Sequence, residues 1–565
     1  MRVFRIWKTA SDLQRLWFIL RVLFEAGGKP LLEQLRLKHL VPLQCRIHCW
    51  LHPPIPSVCL VRRQIDRTVI SPTVLRETLE KLGPTFVKLG QLLSVRADLI
   101  GEEIASELTK LQSNVPPFPF DDVQRILREE FQGKSDRIFR SIEPAPIAAA
   151  SLSQVHRGYL QNGEAVAIKV QRPGIRTIIE EDIHLLAAFA HLAERHIPTL
   201  RPYQPVNVVK EFADWTMREL DFRVEGHNAD RFRYNLREMN DVSTPTVYWD
   251  FTTARVLTTH FMHGVKGDDI KGMKKRHINP KKIADAGVRA MLHQFYIDGF
   301  FQADPHPGNF FALEGNILCF HDFGMVGYLT QEQRQELVSC FVALTKKDID
   351  AFLRHFGHLT ITDAKSDRSG FSKDASEVLS AFLYSESNKS MARAFFTIVN
   401  RAAAHRVSVP PDLALFARSI LGTEAIGLML WPGFDFNREL EPYLGTVLRE
   451  YLSPKRALEN LQTEVFDYLS FLKNLPERTQ SILRQMESGG FKVRLDTADL
   501  LGIRHEMERR TRVAILALLS TTGILAVALA LHFGGFDVLS HPLALALLAV
   551  LGIFLFRVLH RRSDD

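Results

Sequence analysis

Cysteine is scarce: Cys45, Cys49, Cys59, Cys319 and Cys340 are the only five in 565 residues. So sparse and odd a set excludes the disulfide framework of a small secreted scaffold and points to a reducing compartment. Cys45, His48 and Cys49 lie close together, but no second ligand pair follows at zinc-finger spacing. Charge of one sign is also lacking, with 71 Lys+Arg against 64 Asp+Glu, and 46% of residues are hydrophobic. This balance excludes a disordered polyelectrolyte, and 32 glycines and 27 prolines exclude a collagen-like repeat. The first twenty residues lack a clean apolar core and a small-residue cleavage site, which argues against a secretory signal.

The length exceeds one ordinary globular core, so two or three structural units are expected. The small net charge of +7 is unevenly placed, because residues 1–70 carry twelve Lys/Arg and four Asp/Glu. Such a basic, aromatic-bearing segment suits anionic lipid or nucleic acid, and composition alone leaves both open.

Long hydrophobic runs occur at the other end. No charged residue interrupts Val513 to Phe536, and a second uncharged stretch runs from Val538 to Phe556. The 21 residues of Val513–Phe533 would rise about 31 Å as a helix, the thickness of a hydrocarbon core. Gly534 and Gly535 break the first run, so the pattern predicts a transmembrane hairpin over 510–560. Arg509, Arg510 and Arg512 precede it, and Arg557, Arg561 and Arg562 follow, placing both flanks on the cytoplasmic side. The basic N-terminus is then expected to meet membrane lipid rather than nucleic acid, for which no finger or aromatic RNA-binding signature is present.

Between about 140 and 330 the pattern alternates. Ser151–Tyr159 reads as a strand, Gln161-Asn162-Gly163-Glu164 as a tight turn and Ala165–Val170 as a second strand. That second strand spells Val166-Ala167-Ile168-Lys169, the string that carries the phosphate-binding lysine of kinases. Further on stand Asp304-Pro305-His306-Pro307-Gly308-Asn309 and Asp322-Phe323-Gly324. Asp304 and Asn309 have the Asp-x-x-x-x-Asn spacing of a kinase catalytic loop, and Asp322 opens the Asp-Phe-Gly metal motif. One hairpin turning at Glu314-Gly315-Asn316 would return Asn309 and Asp322 to one edge, two hard oxygen donors suited to Mg²⁺. Each fragment alone also fits an ordinary strand or turn; their joint order carries the signal.

A glycine-rich phosphate loop is missing. In its place stand Ala148, Ala149, Ala150 and Ser151, whose Cβ atoms bar the positive φ angles that glycine allows. The phosphate cover must follow another path. The same spacing also fits a packed helix start.

These residues together resemble the UbiB/ADCK family of atypical, protein-kinase-like kinases. The match includes Ala148–Ser151, Lys169, Glu219-Leu220-Asp221-Phe222 with Glu225, Asp304–Asn309 and Asp322–Gly324. Lys88-Leu89-Gly90-Gln91 fits that family's K-x-G-Q motif, and Ser94–Pro117, with Arg96, Asp98 and Leu111-Gln112, also looks like it. The resemblance runs from about residue 75 to 340, and the paired C-terminal segments resemble the bacterial UbiB branch.

The resemblance implies an α+β, two-lobed kinase-like fold with an N-terminal helical extension and the C-terminal transmembrane hairpin. The expected divisions are a basic amphipathic region over 1–74, a helical extension with K-x-G-Q over 75–135, a small lobe with a helical insertion over 136–260, a mainly helical large lobe over 261–505 and the hairpin over 510–560. From the residues alone, the partner of Lys169 would be sought on the next helix, at Glu180 or Glu181; the resemblance places it at Glu225. It implies that Ala148–Ser151, Lys169 and Glu225 hold ATP, that Asn309 and Asp322 hold Mg²⁺ (Mn²⁺ being the alternative), and that Asp304 takes the catalytic-loop position. Lys88 would lend charge near the terminal phosphate. With Gln91, Glu219 and Asp221 it would regulate a site that the K-x-G-Q helix obstructs.

Two positions depart from the family: Gln302 stands where a histidine is usual, and His260 where an acidic residue is common. The implied activity is phosphotransfer or ATP hydrolysis supporting ubiquinone biosynthesis at the bacterial inner membrane. Membrane lipids, prenylated quinone precursors or quinone-biosynthesis enzymes would be partners, and a homodimer is compatible with it. A non-catalytic nucleotide-binding membrane scaffold is the competing reading. A conventional protein kinase is disfavoured by the alanine loop and the obstructing helix.

Overall fold

The computed structural model describes residues 10–26, 71–94, 96–111, 116–362, 366–384, 390–436 and 438–440. The chain divides into units 1–457 and 458–565, and all described residues belong to the first. The expected hairpin at 510–560, the Cys45-His48-Cys49 group and most of the basic segment therefore lie outside the described residues.

The N-terminal helices are α1 (Ala10–Glu25), α2 (Pro72–Leu82), α3 (Pro84–Ser94) and α4 (Glu102–Leu108). Pro72 and Pro84 each open a helix, where their missing N–H costs nothing. Gly83, at φ 102°, turns the chain between α2 and α3 in a conformation barred to most side chains. Leu16, Leu79, Phe86 and Leu111 are buried in one cluster with Leu185, Leu186 and Phe212 from the insertion described below. Gly90 sits tightly there: a Cβ would run into Leu111 Cδ1 and come within 2.9 Å of Leu79 Cδ1, so both leucines would have to shift.

Helix α5 (Phe120–Glu130) packs Val123, Ile126 and Leu127 against the first sheet. That sheet contains β1 (Phe139–Ile142), β2 (Ala148–Ala149), β3 (Ser153–Leu160) and β4 (Ala165–Gln171). The helical insertion follows as α6 (Ile175–His196) and α7 (Pro205–Glu219), then α8 (Phe222–Asn235). After β5 (Val242–Ser243), β6 (Val256–His260) closes the antiparallel order β1-β3-β4-β6, with β2 beside β3. Alternation sets the faces of β4. Val166, Ile168 and Val170 are wholly buried against α5, which turns Lys169 to the opposite side.

The larger lobe continues through β7 (Val265–Lys266), α9 (Pro280–His293) and a π-helical turn to β8 (Phe300–Gln302). A hairpin of β9 (Phe310–Leu313) and β10 (Ile317–Phe320) lies between β7 and β5, and β11 (Val326–Tyr328) pairs with β8. Helices α10 (Gln331–Thr345), α11 (Ile349–His358), α12 (Arg368–Tyr384), α13 (Met391–Ala402) and α14 (Pro411–Leu430) complete it. Interlocked phenylalanines, among them Phe295, Phe341, Phe395 and Phe416, fill their core. Among the described residues α14 alone is long and apolar enough to cross a membrane, with mean hydropathy 1.5, but half of it is buried in this lobe. It is a core helix here.

Candidate functional site

Lys169 reaches from β4 to Glu225 on α8, with Nζ 2.7 and 2.8 Å from the two carboxylate oxygens. Glu180, on the helix where residue order alone would look, instead pairs with Arg176. Burial works against the Lys169 charge, but Glu225, Asp322 and Glu219 outweigh it and hold its pKa above the ordinary lysine value. Burial, with Asp322 and Glu219, pushes the Glu225 carboxyl upward against the pull of Lys169. The lysine is charged, because three carboxylates share its surroundings.

The second half of the site is set by the β9–β10 hairpin. Gly315 and Asn316 take φ values of 81° and 64°, the left-handed pair that a tight hairpin needs. Phe310 then pairs with Phe320, and the His321 N–H donates to the Asn309 carbonyl at 3.2 Å, so Asn309 and Asp322 lie at one edge. Asn309 donates its side-chain N–H to the Asp304 carbonyl at 2.9 Å, leaving Oδ1 as its free end. Asp322 accepts from the Gly324 N–H at 2.9 Å. Burial opposes the Asp322 charge too, yet Lys169, the Gly324 N–H, His321 and Lys88 hold it below the usual carboxylate range.

The alanine segment is strand rather than helix start. Ala148 pairs with Val155 and Ala149 with Gln154, and the Ala150 N–H donates to Ser153 at 2.7 Å. Arg172 holds the turn from behind by donating to the Ala150 carbonyl at 3.2 Å, and Ser151 is buried. None of these residues takes a positive φ, as their Cβ atoms require.

Lys88 projects from α3 onto Glu219 at the end of α7, with Nζ 5.5 Å from the Trp215 ring centroid. Gln91 makes a long 3.5 Å contact to the Leu111 carbonyl. Asp221 caps α8 by accepting the Arg223 N–H at 3.1 Å and also pairs with the Arg223 guanidinium, so it is a helix-start residue here. Asp304 is two-fifths exposed and ion-paired with Arg418 of α14 at 3.0 Å. Arg418 also lies 3.4 Å from Ser94 Oγ at the end of α3. Helix α3 therefore reaches both Glu219 and, through Arg418, the Asp304–Asn309 loop.

Two supporting residues escaped the sequence reading. Asn228, one turn after Glu225, donates to the Phe323 carbonyl at 3.0 Å and anchors the Asp-Phe-Gly turn; its spacing from Glu225 was the available signal. Arg418 stands as a charge within an apolar helix, a second usable clue. Gln302 donates from its side-chain amide to the Asp322 carbonyl at 2.8 Å, while Ser419 donates to the Gln302 carbonyl at 3.0 Å. The glutamine thus ties β8 to the Asp-Phe-Gly turn. His260 ends β6, and its backbone N–H donates to Thr246 at 2.8 Å.

The residues fit a divalent metal and a polyphosphate. A carboxylate held ionised and a free amide oxygen are hard donors, and Glu219 Oε2 is a buried oxygen without a partner. Three carboxylates (Glu219, Glu225, Asp322) face two ammonium groups (Lys88, Lys169), a set left one positive charge short.

The ABC1 atypical kinase-like domain matches residues 110–356, a span holding Lys169, Glu225, Asp304, Asn309 and Asp322. An uncharacterized Synechocystis protein is 33% identical over 414 residues, covering 72% of each chain. The chloroplastic Activity of bc1 complex kinase 7 of Arabidopsis thaliana is 31% identical over 455 residues, 79% of this chain and 64% of that protein. A probable protein kinase UbiB of Marinobacter nauticus is 30% identical over 456 residues, 79% of this chain and 83% of that one.

Proposed function

The chain belongs to the ABC1 atypical kinase-like family, and from that premise we propose that it is a membrane-associated Mg-ATP-dependent phosphotransferase or ATPase supporting ubiquinone biosynthesis. The carrying observation is the constellation in which Lys169 pairs with Glu225 while Asn309 and Asp322 share one edge. In this reading Lys169 orients the α/β phosphates and Glu225 fixes that lysine. Asn309 Oδ1 and the Asp322 carboxylate would hold Mg²⁺, which would supply charge neutralisation at the phosphates. Asp304 directs the acceptor or a water toward the terminal phosphate once it is freed from Arg418, and Lys88 adds positive charge there.

The uncharged stretches after residue 512 and the basic first seventy residues support a place at the bacterial inner membrane, with the kinase-like body on the cytoplasmic side. Prenylated phenolic quinone precursors, which partition into lipid, are the substrate class that such a placement serves. ATP turnover by the full-length protein should rise with anionic liposomes and rise again with a prenylated phenol analogue. Turnover indifferent to both would overturn the membrane-substrate reading.

The ion pair that occupies Asp304 favours a second reading, a nucleotide-binding scaffold for quinone-modifying enzymes. Complementation separates the two. Lys169→His or Asp304→Asn protein that accumulates normally yet fails to restore quinone synthesis supports the enzyme, and restoration supports the scaffold.

A further inference from the structure

Helices α10 and α11 are joined by a short turn, with Lys347 at φ 57°, and fold back on one another. Their facing surfaces bring together Glu336 from α10 and His355 and His358, one turn apart on α11. His355 Nδ1 stands 2.7 Å from one Glu336 oxygen and His358 Nδ1 2.9 Å from the other. The ligand atoms of all three residues lie within 4.8 Å of one another. The two rings are perpendicular, with centroids 6.3 Å apart, so their nitrogens converge on the carboxylate from different directions.

We propose that Glu336, His355 and His358 form a binding site for a first-row divalent transition ion of the Zn²⁺ type, separate from the nucleotide metal. Two imidazoles and one carboxylate are a donor set that suits Zn²⁺, Ni²⁺ or Cu²⁺ and disfavours Mg²⁺, which prefers oxygen alone. Ligands at about 2.0–2.1 Å from a tetrahedral ion stand about 3.3 Å apart. The present 2.7 and 2.9 Å contacts need to open only slightly.

Entry is open, since the His358 side chain is 65% exposed. Each imidazole now offers Nδ1 to Glu336, and on metal binding a neutral ring keeps its proton at Nε2 instead. Cys340 lies one turn after Glu336 on the same helix, but it is fully buried with Sγ turned to the Phe352 carbonyl. The site is therefore His₂Glu, with its remaining position open to water. Its occupant would clamp α10 to α11, the helices that follow the Asp-Phe-Gly segment and β11.

The test uses chelator-stripped, full-length protein in detergent and Zn²⁺ alone, with Co²⁺ as a spectroscopic probe. The wild type should bind Zn²⁺ and develop visible Co²⁺ ligand-field bands. His358→Ala and Glu336→Gln should each lose one equivalent of bound ion, or weaken it at least ~100-fold, since even second-shell losses cost 10- to 100-fold. Both variants should keep the wild-type thermal shift with Mg-ATP, which shows that they are folded. Failure of the wild type to bind Zn²⁺, or identical ion content in the folded variants, would overturn the proposal.

Discussion

Two lysine–carboxylate pairs meet at this site, and they are held in different ways. Lys169–Glu225 joins β4 to α8 inside the body of the small lobe, and its carboxylate is nearly wholly buried. Lys88–Glu219 joins α3 to α7, and the apolar cluster behind it belongs to the helical extension and the insertion. The first pair is anchored by a sheet register, the second by helix packing. A sheet position is fixed by its neighbours on both sides, whereas a helix can shift as a unit when its packing loosens. Nucleotide binding should therefore depend on the first pair, and access to the site on the second.

The sharpest break is Lys169→Ala, which leaves Glu225 buried without its cation. Stability should fall by about 3–5 kcal/mol, the usual result of removing one partner of a buried pair. The melting shift with Mg-ATP should vanish in Lys169→Arg as well, if that variant stays folded. A retained shift would place the phosphates elsewhere.

Next in size is Gly90→Ala. Its Cβ would collide with Leu111 and Leu79, and overpacking of this kind costs up to about 3 kcal/mol. Amide exchange across α3 and α2 should quicken, while the β4 amides stay protected. Equal loss of protection in both would erase the distinction between the two pairs.

A smaller effect is expected at Lys88–Glu219, whose carboxylate is 17% exposed against 9% for that of Glu225. The cycle of Lys88→Ala and Glu219→Gln should give a coupling near 1 kcal/mol. Lys88→Ala should still bind Mg-ATP, with faster nucleotide release. Loss of binding comparable to that of Lys169→Ala would make the two pairs equivalent.

The smallest expected effect is in pH. The Asp322 carboxyl is held below its ordinary value, so its contribution is fully present above that value. It is lost only as pH falls through the depressed folded-state pKa. Beyond the change caused by the terminal phosphate of ATP, which itself takes up a proton at about pH 6, metal-dependent nucleotide affinity should stay level as pH drops from 7 to about 5. A further decline in that range that disappears in Asp322→Asn would contradict a depressed Asp322 pKa.

The parts of the site legible in the sequence are those whose chemistry sits within one short segment. Val166–Lys169 announces a strand with a lysine on one face, and Asp304–Asn309 with Asp322 announces a loop and a hairpin. Glu225 was legible only through family resemblance, because a helical insertion of more than forty residues separates it from Lys169 and local order pointed to Glu180. Arg418 and Asn228 act through contacts 114 and 95 residues apart, which no local pattern encodes. The alanine segment was ambiguous for a related reason. Three alanines specify neither strand nor helix until β3 supplies a partner.

In the function proposed above, Lys169, Glu225, Asn309 and Asp322 form one Mg-ATP site. Its most direct test is calorimetric titration of full-length protein with ATP, with and without Mg²⁺, in the wild type and in Asp322→Asn. The wild type should bind ATP tightly only with the metal, and Asp322→Asn should lose most of that metal-dependent gain. Unchanged metal-dependent affinity in folded Asp322→Asn protein would contradict the account.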